Sequence, residues 1–365
     1  MDNSIKIGKI FGIRIGLHYS WFLIFIFLSW SLAISYYPIM YPTFTVTQFW
    51  LLGIASALLL FVSVLFHELA HSLVAKANKI KVDKINLFFF GGLAEIHDDY
   101  DDPKVELKTA AAGPIFSILF GALFYLLYLQ NFEPHLSAIF KYLYYVNFIL
   151  AIFNLVPGYP LDGGRIFRSL VWMHTKDLKK ATRIAVVGGK TFAVLLILLG
   201  VYEIFISMPG GLWYILIGIF LYFIANASLN QVLIKDTLSK VKVESFIKKK
   251  YETAKPDEKL NDIVKRFMDN EEKTYIMQDK NKIYVIDVDE IRKIPRDKWK
   301  TKKANDVAKE IKPLSKKDNA YEALMSMSKQ GLEIIPVVDE KKIIGIVKRN
   351  SIYQILELGG SVDAK

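Results

Sequence analysis

Residues 50–72 read WLLGIASALLLFVSVLFHELAHS. The apolar run 50–66 ends in two histidines and a glutamate. A stretch this free of charge has the length of a membrane-crossing helix, which takes about 20 residues. Side chains four apart share one face of an α-helix, so His67 and His71 can grip a single ion. Glu68 is adjacent and can reach a water on that ion without being a ligand. This is the pattern of a metal-activated water with a carboxylate general base. Ionisable groups within a span cost about 3 kcal/mol each and concentrate where they serve a site. The competing role for the trio is mutual hydrogen bonding that glues helices together.

The rest of the chain points to a membrane setting. It has 365 residues, 53% of them hydrophobic, and a mean hydropathy of +0.28, too apolar for an ordinary soluble protein. Six segments are long enough to span, near 17–37, 50–75, 108–129, 139–157, 185–206 and 212–231. Lys6, Lys9 and Arg14 precede the first. Lys76, Lys79, Lys81, Lys84 and Lys104 separate the second from the third. Arg165, Arg168, Lys176, Lys179, Lys180 and Arg183 separate the fourth from the fifth. The other loops carry almost no Lys or Arg, so the positive-inside rule predicts a multi-pass protein of the cell membrane with both termini cytoplasmic. The net charge of +11 is placed to set topology, and nucleic acid is not an expected partner. Cysteine is absent, which excludes disulfides and thiolate metal sites. No cleavable signal peptide is recognisable at the start.

Two histidines leave a catalytic metal site one protein ligand short. The segment FNLVPGYPLDGGR (153–165) supplies a candidate at the end of the fourth span. Pro157 and Pro160 break the helix, and such a break at membrane depth is tolerated where it is buried in protein or lines a wet cavity. Asp162 is the carboxylate of this break and would complete a His₂Asp set; its alternatives are a cap on the next helix or a partner for Arg165. Asn154 can donate from its amide to a substrate backbone or to the oxyanion of a tetrahedral intermediate, or serve as packing glue. The stretches SIKIGKIFGIRIG (4–16) and KIKVDKINLFFFGG (79–92) alternate as strands do. Their edges could pair with an unwound substrate. His97 and the acidic run after it read as a solvated loop. Lys190 reads as a snorkelling cation.

The membrane part is expected to end at 233, and 234–365 to form a separate soluble α/β domain. A weak repeat supports this: KPDEKLNDIVKRFM (255–268), followed by DKNKIYVIDVDEI, lines up with LSKKDNAYEALMSM (314–327), followed by DEKKIIGIVKRNSI.

HELAH in an apolar span, AAAGP (110–114) opening the next and NLVPGYPLDGGR closing a later one resemble, in order and over about residues 1–230, the site-2 protease family of intramembrane metalloproteases. FFFGGLAEI (88–96) resembles the Gly-Gly segment that family carries after its second span. The resemblance implies a polytopic α-helical fold with six transmembrane helices. It also implies one Zn²⁺ held by His67, His71 and Asp162, Glu68 as catalytic base, and cleavage of transmembrane protein substrates within the lipid bilayer. The tail resembles a pair of cystathionine-β-synthase (CBS) motifs. GIVKRNSI (345–352) has Lys348 and Ser351 where that module has Thr and Asp. YVIDVDEI (284–291) has Tyr284 for Gly, while Glu290 keeps a carboxylate where a nucleotide ribose would be contacted. The tail resemblance implies an adenine nucleotide as ligand, or a scaffolding role as a homodimer. The alternative for the whole chain is a CBS-regulated transporter of metal ions or protons that uses the intramembrane His, Glu and Asp.

Overall fold

The computed structural model describes residues 4–88, 91–96, 100–206, 210–270, 273–279, 282–340 and 342–362. The chain divides into two units, Met1–Asn230 and Gln231–Lys365. The first unit begins with strands β1 (Ser4–Ile10) and β2 (Ile13–His18). Helices α1 (Tyr19–Met40) and α2 (Val46–Ala77), strands β3 (Val82–Phe88) and β4 (Gly91–Ile96), and helices α3 (Pro103–Tyr128) and α4 (Pro134–Asn154) follow. The short α5 (Asp162–Thr175) then leads to α6 (Leu178–Phe205) and α7 (Gly211–Ser239). Among the described residues, six helices are long and apolar enough to cross a membrane: α1 to α4, α6 and α7.

Each expected span is present, with boundaries moved by capping chemistry that a hydropathy window does not register. Helix α2 starts at Val46 because Thr45 and Gln48 close a capping box ahead of it. Helix α3 starts at Pro103, five residues before the expected 108. Asp102 accepts from Lys104 N, and proline at the first helical position forfeits no bond. That early turn brings the charged Glu106 into the helix, where it is fully buried. The fourth span ends at Asn154, before the break.

The bundle buries polar residues beside its apolar clusters and turns many large apolar side chains outward. Ser56, Ser63, Thr109, Ser117, Asn147 and Thr182 are fully buried, whereas Leu119, Leu126, Val187 and Leu198 are more than half exposed. Lipid tails are as apolar as leucine, so helices in a bilayer gain by turning small and hydrogen-bonding residues toward one another.

The alternating stretches form one four-stranded sheet in the order β1-β2-β3-β4, with β1 and β4 at its edges. β2 and β3 run parallel, with Ile15 beside Ile85. Ile13, Ile15 and Ile85 pack on Leu69, so the sheet lies against the helix that carries His67 and His71.

The second unit holds α8 (Leu260–Asn270), β5 (Thr274–Asp279), β6 (Lys282–Asp287), β7 (Lys309–Ile311), β8 (Leu314–Ser315), α9 (Ala320–Gln330), β9 (Ile334–Asp339), β10 (Lys342–Lys348) and α10 (Arg349–Val362). The two halves repeat an antiparallel hairpin, β5 with β6 and β9 with β10. Period-2 geometry shares the core between them. Tyr275 and Met277 point into one apolar cluster with Leu260 and Ile263, while Ile276 points into another with Ile335 and Val337. Replacing the fully buried Ile335 by Ala should therefore destabilise this unit by about 2–5 kcal/mol. The full-length chain in detergent should show it as a lowered urea midpoint at unchanged slope for the tail's transition, followed through Trp299.

Candidate metal centre

Helix α2 places His67 and His71 one turn apart, both about 95% buried and with their Nε2 atoms 3.2 Å from each other. Asp162, the first residue of α5, brings Oδ2 to 3.1 Å from each of those nitrogens. Leu161 occupies the cap position ahead of it, and its contacts are with the histidines, so capping is not the carboxylate's role. Arg165 instead has its Nε 3.9 Å from Glu106. Among the described residues, His67, His71 and Asp162 form the one cluster with metal-ligand spacing.

The triangle of donor atoms fits a zinc-sized ion. Bonds of about 2.0–2.1 Å in tetrahedral array put neighbouring ligand atoms about 3.3 Å apart. Two imidazoles and a carboxylate also leave a fourth position open.

The outer atoms of both rings are held. His71 Nδ1 lies 2.7 Å from the carbonyl oxygen of Thr109. A carbonyl only accepts, so that nitrogen carries the proton and Nε2 keeps its lone pair, facing Asp162 and His67. His67 Nδ1 lies 2.8 Å from Ser117 Oγ, which can accept in the same way. Thr109 and Ser117 sit on one face of α3, and Gly113 lies between them. A Cβ on Gly113 would come within 2.1 Å of His71 Nε2 and 2.6 Å of His67 Nε2. The AAAGP motif thus contributes empty space into which the rings fit.

Glu68 follows His67 on α2 and lies against β4. A Cβ on Gly92 would stand 2.2 Å from Glu68 Cγ, so the second glycine of the Gly-Gly segment lets an edge strand come up to this carboxylate. The segment that carries Asp162 is fixed by its backbone, with Tyr159 N donating to Ala185 O of α6 at 3.1 Å.

The remaining candidates are not gathered into the centre. Asn154 donates its amide to Leu150 O, one turn back on its own helix, at 3.0 Å. Glu290 lies on a one-turn helix, Val288–Ile291, and pairs with Lys293 at 2.6 Å on an exposed surface. It is not among the residues lining the cleft of about 610 Å³ between the two halves of the second unit, where Gln278, Lys282, Glu310, Lys312 and Val338 meet. His97, Asp98 and Asp99 fall outside the described residues, while Asp102 caps α3. Lys190 bonds Asn226 at 2.7 Å and stands over the Tyr222 ring, held between two spans rather than merely snorkelling. Thr109, Gly113 and Ser117 were not predicted as site residues; the small-residue motif around Gly113 was their available signal.

Comparison with known proteins gives the family of the chain. The model of peptidase family M50 matches residues 55–135 and 130–199, and that of the CBS domain matches 304–357. A protein of Synechocystis sp. named as a zinc metalloprotease is 31% identical over 378 residues, covering 98% of this chain and 96% of its own. A zinc metalloprotease of Methanocaldococcus jannaschii is 32% identical over 250 residues, covering 68% and 67%. The solved structure of a site-2 protease from M. jannaschii shares 33% identity over 61% of this chain and 94% of its own, with a TM-score of 0.42.

Gly113→Ala should drive the two imidazoles apart. Metal content measured by elemental analysis is expected to fall from about one per chain to a small fraction of it, with all three ligands intact.

Proposed function

The chain belongs to peptidase family M50, the site-2 proteases, and on that basis we propose that His67, His71 and Asp162 hold one zinc ion and that Glu68 is the general base of peptide-bond hydrolysis within the membrane. The observation that carries this reading is the near-equilateral triangle of two Nε2 atoms and one carboxylate oxygen, at 3.1–3.2 Å. The donor set, its burial and the open fourth position fit zinc. Zinc bound there supplies a Lewis acid and a positive charge beside the scissile carbonyl.

The protein's own groups do the rest. His67 and His71 present lone pairs in a direction fixed by Ser117 and Thr109. Glu68, next to His67 and outside the ligand triangle, takes a proton from the attacking water and returns it to the departing amine. Substrates are transmembrane segments of other proteins, unwound near the site because a helical carbonyl is already bonded and shielded. Edge strand β4, close against Glu68 through Gly92, can take such an extended segment by main-chain pairing. Asn154 stands at the rim of the helix break, with an amide able to turn toward a substrate carbonyl once it leaves Leu150.

The positive-inside pattern puts both termini in the cytoplasm. His67 lies 21 residues after Val46, roughly 30 Å along α2 at about 1.5 Å per residue. That depth is near the cytoplasmic end of the helix, where the polar break lets water reach the site. The transporter alternative has no support left, because the family that the chain belongs to is one of metallopeptidases.

Purified protein should cleave a transmembrane substrate in detergent, and a chelator should abolish the cleavage. Glu68→Gln should retain about one zinc per chain yet lose at least about 10³-fold in rate; comparable cleavage by this variant would remove Glu68 as the base. His67→Ala combined with Asp162→Ala should leave the protein without zinc, and retention of the ion would refute the ligand set.

A single cysteine introduced at Lys9 or near Lys342 should react with an impermeant maleimide in inverted vesicles and not in intact cells. Labelling in intact cells would reverse the proposed topology.

A further inference from the structure

Outside the metal triangle, the bundle contains a second charged cluster that hydrolysis does not use. Glu106 of α3 is fully buried. Its Oε1 accepts from Arg168 Nη2 of α5, and Arg165 Nε stands 3.9 Å from the same oxygen. The Arg168 guanidinium lies over the Tyr159 ring at 4.9 Å, and that of Arg165 over Tyr100 at 5.2 Å. Glu106 Oε2 and Arg168 Nε, both buried, have no hydrogen-bond partner among the described residues.

The placement of this cluster matters more than its strength. On α3, Glu106, Thr109, Gly113 and Ser117 follow one another at steps of three and four, on one face. The last three hold or make room for the histidines. On α5, Asp162, Arg165 and Arg168 follow at steps of three. One helix therefore carries the supports of two ligands, the other carries the third ligand, and Glu106 with Arg168 is the charged link between them.

A buried ion pair gives little net stability compared with an apolar pair of equal volume. What it adds is direction, because a guanidinium and a carboxylate meet in few geometries. It also offsets charge. Without Glu106, two guanidinium groups would lie on the short helix whose first residue must help to hold a dication.

We propose that Glu106 is a positioning residue for the metal centre, fixing α5 through Arg168 so that Asp162 meets the two histidines, and offsetting the positive charge of Arg165 and Arg168. The proposal rests on the zinc reading given above.

Zinc affinity of the full-length chain, measured by chelator competition, tests it directly. Glu106→Gln should bind zinc about 10–100-fold more weakly than wild type, the usual effect of losing a support behind a ligand. The visible spectrum of the cobalt-substituted variant should shift as the carboxylate moves. At saturating zinc, kcat should fall with KM little changed.

Adding Arg165→Gln to Glu106→Gln removes one uncompensated cation and should recover part of the affinity. Simple damage to packing would instead deepen the loss. Affinity and cobalt spectrum within about threefold of wild type for Glu106→Gln, or a deeper loss in the double variant, would overturn the proposal. If Glu106→Gln does not yield folded protein, Glu106→Asp is read in the same way: a several-fold weaker affinity supports the role and an unchanged one refutes it. A wild type that binds no zinc would fail the metal reading itself, which keeps the two failures distinct.

Discussion

The carbonyl oxygen of Thr109 can accept a hydrogen bond and never give one, and the proposed metal centre depends on that asymmetry. It places the proton on His71 Nδ1, 2.7 Å away, and so leaves the Nε2 lone pair facing inward. His67 finds Ser117 on the same face of α3. The pairing order is reversed, 71 with 109 and 67 with 117, as antiparallel neighbouring helices require. Between these two supports, Gly113 leaves the volume that the rings need. A single helix face therefore sets the orientation and the spacing of both imidazoles, and the protonation of His71.

The bilayer favours such arrangements. The apolar core offers no water to a stray donor, so a buried polar side chain gains by finding a partner inside the bundle. Asn147 bonds Ser63 and Leu143 O, and Tyr37 meets Ser56. These contacts tie α1 and α4 to α2, the helix that carries the histidines, with leucine and phenylalanine left to face lipid. The same rule explains why Glu106 could enter α3 at all: it is buried together with its arginine.

The parts of this architecture that repeat along the chain were legible from sequence. Six apolar runs, the basic loops and the i, i+4 histidines each carry a period that can be read without a structure. Asp162 is singled out by standing in a break made by two prolines and two glycines, and the structure brings it beside both histidines. The supports were not legible. The bond from Thr109 uses a backbone carbonyl, which every residue has, and the glycine at 113 acts through an absent atom. Glu106 lies outside the expected span, since a hydropathy window treats a carboxylate as an end and does not register its partner 62 residues later. Asn154 was picked by residue type, and its amide bonds its own helix.

The three proposed ligands come from two sources of very different local order. His67 and His71 are set by helix geometry alone and would share a face in any α2. Asp162 lies 91 residues beyond His71, on a helix of only 14 residues that does not cross the membrane by itself. Its position has to come from its neighbours: the backbone bond to α6 on one side and Glu106 on the other. In the proposed site an ion would join a pre-set pair to a ligand whose place depends on the packing of four helices, and its affinity would report how well that packing is made. A site of this kind forms when the bundle forms, because no local segment of the chain contains it.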